Sequence, residues 1–180
     1  MASTKAVEST KLDATPRQLV EVGSGVGKKR VFMDTVAVNT TDFDADGDIL
    51  YMAEVPSNAK ITSIRLFNDD MDSGTTSVVN VGLYNGGTKF TDGSTKYAAD
   101  ALIDEDAYAS AITTLQSANT SGVELAFEAR NVNAIANYVW EDGGLASDPK
   151  VPLRIALTQT ATVSGDQAGD VSIIVEYVVE

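Results

Sequence analysis

From Thr41 to Gly87 the chain runs in short apolar stretches cut by turn-forming residues, and a period of two dominates. Ile49 to Val55 alternates, Pro56-Ser57-Asn58 breaks it, and Lys60 to Phe67 resumes. An Asn68-Asp-Asp loop follows, then Val78 to Tyr84, then Asn85-Gly86-Gly87. Successive side chains of a strand point to opposite faces, so this spacing builds half-buried strands and fits no helix. Pro56 has no N–H for a ladder, and Asn-Gly-Gly tolerates positive φ, so both mark strand ends. The stretch holds no catalytic pair and no phosphate loop.

The same pattern extends outward. Val31 to Asn39 predicts a first strand, with Phe32, Val36 and Val38 on one side. Ile64 and Leu66 share one face of the third strand, Ile61 and Phe67 the other. Val123 to Phe127, Val151 to Gln159 and Val171 to Val179 add further strands. In the last, Val171, Ile173, Val175, Tyr177 and Val179 form one face, yet Ile174 and Val178 make the other face apolar too. Ala98 to Ile112 breaks the alternation, and Leu102, Ala109 and Ile112 can share a helical stripe, so a short helix is expected there. A helical turn is expected over Asn131 to Trp140. The chain therefore reads as all-β: an antiparallel β-sandwich with one or two short helical insertions. Strand number and long crossings suit a jelly roll as well as an immunoglobulin-like order.

Residues 1–29 differ from the rest. They are rich in Ser, Thr, Lys and Gly, with scattered Val7, Leu12, Leu19, Val20, Val22 and Val26. They are expected to form an extended N-terminal arm before a sandwich domain of residues 30–180. Fully extended, such an arm reaches on the order of 95 Å, enough to cross onto a neighbouring subunit. The N-terminus lacks the apolar core of a secretory signal.

Composition removes whole classes of chemistry. There is no cysteine and no histidine among the 180 residues. Disulfides, thiolate metal sites, Ser-His-Asp and Cys-His nucleophiles and zinc proteases go with them. An enzyme is not expected. The net charge of −13 repels phosphate backbones, so nucleic acid is not an expected partner. No apolar run is long enough for a membrane helix.

Four features are candidates for binding. Asp42-Phe-Asp-Ala-Asp-Gly-Asp48 places Asp42, Asp44, Asp46 and Asp48 at alternate positions around a bend, a spacing that calcium loops use because hard cations want converging oxygens. The calcium-loop pattern also needs a Glu at its twelfth position, which is Ala53 here. The competing reading is an acidic turn between strands. Asn68-Asp-Asp-Met-Asp72 is a second acidic cluster, read as solvated loop charge or as a cation site shared between subunits. Tyr138 and Trp140 resemble a sugar-stacking platform, with core packing of the sole tryptophan as the simpler reading. Lys28-Lys29-Arg30 is a basic step in an acidic chain, either a solvated hinge or a dock for an acidic partner.

The Asp44-Ala-Asp-Gly-Asp48 loop, Val55-Pro-Ser-Asn-Ala-Lys-Ile61, the Asn-Asp-Asp loop, Val79-Asn-Val-Gly-Leu-Tyr84, Tyr138-Val-Trp-Glu and the terminal strand resemble small β-proteins of tailed bacteriophages. The resemblance covers residues 31–180 and its motifs are structural. It implies a virion protein, specifically a capsid decoration or cement subunit on the head surface that stabilises contacts between major capsid subunits. It implies no catalytic residue and no obligatory cofactor. The alternatives are a calcium-dependent carbohydrate- or receptor-binding module of a tail or fibre, and a head–tail connector component. A ring-forming homotrimer is expected through the second apolar face of the last strand.

Overall fold

The computed structural model describes residues 27–179. Ten strands follow one another: β1 (Lys28–Val38), β2 (Ile49–Val55), β3 (Ala59–Asn68), β4 (Val79–Asn85), β5 (Phe90–Asp92), β6 (Thr95–Tyr97), β7 (Leu102–Ile112), β8 (Asn119–Glu124), β9 (Leu153–Gln159) and β10 (Gly169–Val179). Helical structure among the described residues amounts to 3-10 turns at Thr114–Gln116 and Val132–Ala136 and one short α-helix, α1 (Val139–Asp142).

Eight strands form two four-stranded sheets, in the orders β1-β10-β3-β8 and β2-β9-β4-β7. Every pairing is antiparallel. Successive sandwich strands alternate between the sheets except β4 and β7, which pair within one, and the last strand of the chain inserts between the first and third. This is jelly-roll order, so of the two topologies that the sequence allows, the structure selects this one. β5 and β6 form a separate hairpin, closed by stacked Phe90 and Tyr97 rings 4.9 Å apart.

The inner faces meet in one core. Ile64, Leu66, Val171, Ile173 and Val175 come from one sheet, and Val79, Leu83, Leu153, Ile155 and Leu157 from the other. Each is essentially inaccessible to solvent. Most strands keep the period of two. Two departures have identifiable causes. Ile61, expected opposite to Ile64, is buried with it, because a β-bulge makes Ser63 pair with Glu176 and Ile61 with Tyr177. The extra residue, Thr62, flips the parity of the strand.

The expected helix over Ala98 to Ile112 is instead strand β7. Its register against β4 runs Val79↔Ile112, Val81↔Ala109, Leu83↔Asp104 and Tyr84↔Leu102, so β7 bulges repeatedly. Bulging destroys the alternation and mimics a helical stripe. Leu102 is exposed while Ala109 is fully buried, so the stripe residues do not share a face. The turn expected over Asn131 to Trp140 is present as the 3-10 turn and α1. The strand expected at Val123 is shifted to Asn119–Glu124.

Hydrogen bonds tie the loops into two groups. At one end Gly47 N donates to Gln159 O, Val163 N to Asp44 O, Ser73 N to Gly165 O and Met71 N to Leu115 O. At the other, Gly86 N donates to Pro152 O, Ser57 Oγ to Asp148 at 2.6 Å, and Ala146 N to Asp92 at 2.8 Å. β1 starts at this second end beside the end of β10. The expected arm lies outside the described residues except for 27–29, and Lys28 and Lys29 already belong to β1.

The bulged β7 crosses close over β4. A Cβ at Gly82 would sit 2.2 Å from the carbonyl oxygens of Asp104 and Glu105. Backbone cannot retreat there without opening the sheet. Gly82→Ala is expected to lower unfolding free energy by about 2–4 kcal/mol, measured by urea titration.

Candidate docking surfaces

The outer face of the β1-β10-β3-β8 sheet follows from the position of β10. With Ile173 and Val175 inward, Ile174 points away from the core. Its cross-strand neighbours are Met33 on β1 and Arg65 on β3. Val31 and Met33 are 50% and 68% exposed, and Ile174 and Phe67 are half-buried. Arg65 covers the Phe67 ring at 5.9 Å. A shallow groove of about 710 Å³ runs along this face past Met33, Thr35, Phe67, Asn119, Ser172 and Ile174. Apolar surface in a continuous cross-strand patch is what a protein interface uses. The basic step is part of this sheet: Lys28, Lys29 and Arg30 open β1, and Lys29 Nζ lies 2.6 Å from Glu176. It is strand, where a hinge was one expectation.

The Asp42–Asp48 loop joins β1 to β2. Asp42 Oδ2 accepts hydrogen bonds from the backbone N and side-chain amide of Asn39, at 3.0 and 2.9 Å. These bonds hold its carboxyl below the usual range. Asp48 Oδ2 accepts from Ala45 N at 2.8 Å. Asp44 contributes its backbone carbonyl to Val163. Gly47 takes φ +91°, which glycine adopts without Cβ strain. Among the described residues no group of three or more acidic side chains could hold a metal ion. Asp42 and Asp48 each commit one carboxylate oxygen to these turn bonds.

The Asn68–Asp72 cluster is divided: Asp69 and Asp70 are exposed, as the reading of solvated loop charge expects, whereas Asp72 is interior, which corrects that reading at this one residue. Asp72 is fully buried and accepts backbone N–H bonds from Gly74 (2.8 Å), Thr76 and Ser77 (2.6 Å), plus the Thr76 hydroxyl. Burial alone would raise its carboxyl, but these donors together lower it. Asn68 donates to the carbonyls of Asp69, Thr114 and Ser117, pinning β3 to the loop before β8. Asp72 thus organises the loop after β3 in place of a ladder.

Trp140 is half-buried against the core, and Val139 beside it is fully buried. Tyr138 lies under Lys60 Nζ at 4.6 Å. The two rings therefore have packing and cation–π partners.

The sequence reading missed a buried polar centre. Arg130 and Asp142 form an ion pair at 3.1 Å with side chains 2% and 1% exposed. Tyr108, fully buried, donates its hydroxyl to Asp142 Oδ2 at 3.2 Å. Arg130 also donates to Ile61 O at 3.3 Å and Ala134 O at 2.7 Å, and its guanidinium lies over the Phe127 and Tyr108 rings. Burial pushes the Asp142 carboxyl up to about 6, against the lowering pull of Arg130 and the Tyr108 hydroxyl. No periodic signal marks this trio, because Arg130 lies in the irregular segment after β8, Asp142 at the end of the one-turn α1 and Tyr108 on a bulged strand.

No protein-family model matches the chain, and comparison with curated proteins gives no match. Solved structures do match. A chain of the cyanophage Pam1 capsid asymmetric unit is 16% identical, with 93% of this chain and 97% of that one covered and a TM-score of 0.55. A chain of the Ralstonia phage GP4 capsid is also 16% identical, with 91% and 92% covered and a TM-score of 0.58. The chain shares its fold with phage capsid chains. Near-complete coverage in both directions makes the match one of whole chains.

The two buried carboxylates have opposite pH signatures. Asp72, lowered by folding, contributes stability that is present above the ordinary carboxylate range and lost as pH falls through its folded value. Asp142, raised to about 6, favours the folded state on the acidic side, and that contribution is lost as pH rises through about 6. Asp72→Ala strands three backbone donors and is expected to cost about 3 kcal/mol or more at neutral pH, with the deficit shrinking in acid. Asp142→Asn is expected to abolish the component of stability that rises as pH falls from about 6 toward the ordinary carboxylate value. Thermal melts across pH read both.

Proposed function

We propose that this chain is a phage head protein of the decoration or cement type, which binds the outside of the shell and stabilises contacts between major capsid subunits. The observation that carries the reading is the jelly-roll order, matched along the whole chain in two phage capsid structures. The absence of histidine and cysteine from the chain agrees with a mechanical role. No described helix is long and apolar enough to cross a membrane.

In this reading the sandwich is a rigid plate over a junction between shell subunits. The residues that precede β1 act as an arm that orders on the partner. Ordering costs conformational entropy, so a single subunit binds modestly, and many copies on one particle add up. The outer face of the β1-β10-β3-β8 sheet joins three copies into a ring. Its exposed Val31 and Met33 and half-buried Ile174 supply the apolar area.

The protein is expected to co-sediment with particles stripped of it and to raise the temperature at which they release DNA. Truncation of residues 1–27, which stops short of β1, should leave circular dichroism intact and remove that protection. A copy number of only a few per particle would assign the chain to a connector or tail instead.

Light scattering of the free protein is expected to give a trimer. Ile174→Asp should yield a folded monomer, because a charge on the outer face opposes association and spares the core. A monomeric wild type together with an unfolded Ile174→Asp variant would overturn the ring.

A further inference from the structure

Four strands end the two sheets among the described residues: β1 and β8 in one, β2 and β7 in the other. An edge strand offers unpaired N–H and C=O groups to any second strand, and bulges are a common way of blunting it. Three of the four edges are blunted in this way, since the ladders of β2, β7 and β8 each contain a register shift. β1 is the exception. Its pairing with β10 runs from Lys28↔Val179 to Val38↔Gly169 without a shift, and it contains no proline. On its outer face Val31 and Met33 are exposed. A long, regular edge with exposed apolar side chains is a template for strand addition.

The charges along β1 say which strand fits. Lys28, Lys29 and Arg30 open it, Asp34 lies past its middle, and the Asp42–Asp48 loop follows its end. Arg30 and Asp34 share the parity of Phe32 and Val36, which pack against the core, yet both are exposed at the sheet edge. Charges of one sign there would repel a second strand. Here the signs are opposite, and the two residues flank Phe32 symmetrically. A second β1 laid antiparallel about Phe32 meets this pattern. Arg30 of each copy then faces Asp34 of the other, and Val31 of each faces Met33 of the other. Opposite-charge and apolar cross-strand pairs both favour such a register. The basic start of each strand also lies along the acidic end of its counterpart.

We propose that β1 is an edge-to-edge docking strand for a second copy of this chain, paired antiparallel about a two-fold axis at Phe32, so that two four-stranded sheets become one sheet of eight strands. Such an isologous contact closes on itself. It goes beyond the ring proposed above, which uses the outer face of the sheet and not its backbone edge. One strand edge per copy buries less than the roughly 1,200 Å² at which stable interfaces begin. The pairing is therefore weak in dilute solution and is populated where copies are crowded, at high concentration or side by side on one surface.

The chain has no cysteine, so introduced cysteines report the register without background. In the full chain at high protein concentration, Val31→Cys mixed with Met33→Cys under mild oxidation is expected to give a disulfide-linked dimer in about tenfold higher yield than either variant alone. The proposed register brings those two positions within disulfide reach and leaves two copies of the same position too far apart. Arg30→Asp or Asp34→Arg, added to both cysteine variants, should lower the yield about fivefold, and the two together should restore it, because the pairs re-form with their signs exchanged. A ring contact through the outer face has no such dependence on the exchange. Circular dichroism checks that each variant is folded. Equal yields from mixed and single variants, or an exchange that recovers nothing, would overturn the edge pairing and leave the ring standing. A wild type that is monomeric in dilute solution, with cross-linking in this register at high concentration, would overturn the ring and support the edge pairing.

Discussion

The insertion of β10 between β1 and β3 is the constraint on which the rest depends. Its two backbone edges are satisfied by strands whose partners lie more than a hundred residues earlier in the chain. Val171, Ile173 and Val175 then face the core at zero or near-zero exposure. Remove that pairing, and β1 loses the only strand it pairs with among the described residues. The loops that hydrogen-bond at each end are brought together by this closure. Such non-local pairing brings loop-closure entropy before any reward, which makes a slow folding step.

Two polar centres finish what the strands begin. Asp72 gathers backbone donors where the chain leaves β3 and cannot continue a ladder. The Arg130–Asp142–Tyr108 trio anchors the long segment between β8 and β9 to the core through Ile61 O and Ala134 O. Asp72 and Arg130 lie in irregular backbone, where hydrogen bonds must come from side chains if buried groups are to be satisfied. They differ in completeness: Asp72 is saturated with donors, whereas Arg130 Nε in the trio has no hydrogen-bond partner.

Much of the sandwich was legible because strands buried on one face repeat every two residues. β2, β4, β9 and β10 lie within two residues of their expected bounds. β7 was not legible. Its bulges place several residues opposite one or two of β4, and the resulting spacing imitates a helix. Ile61 was misassigned for the same reason, through the single bulge at Thr62. The surface sites were legible only as composition. Both acidic loops were visible in the sequence, but nothing local distinguishes Asp72, fully buried, from Asp70 two residues earlier, which is exposed.

The sequence by itself determined the class: an acidic, cysteine- and histidine-free β-sandwich whose last strand is apolar on both faces. Those properties depend on residue type and on neighbours one or two places away, so no fold is needed to read them. Tertiary structure alone decided strand order, the inner and outer faces of β10, and the burial of Asp72. It alone brought Tyr108, Arg130 and Asp142 together. Each of these depends on contacts between residues distant in the chain, and the energies that select among them come from burial and shared hydrogen bonds that no local pattern encodes.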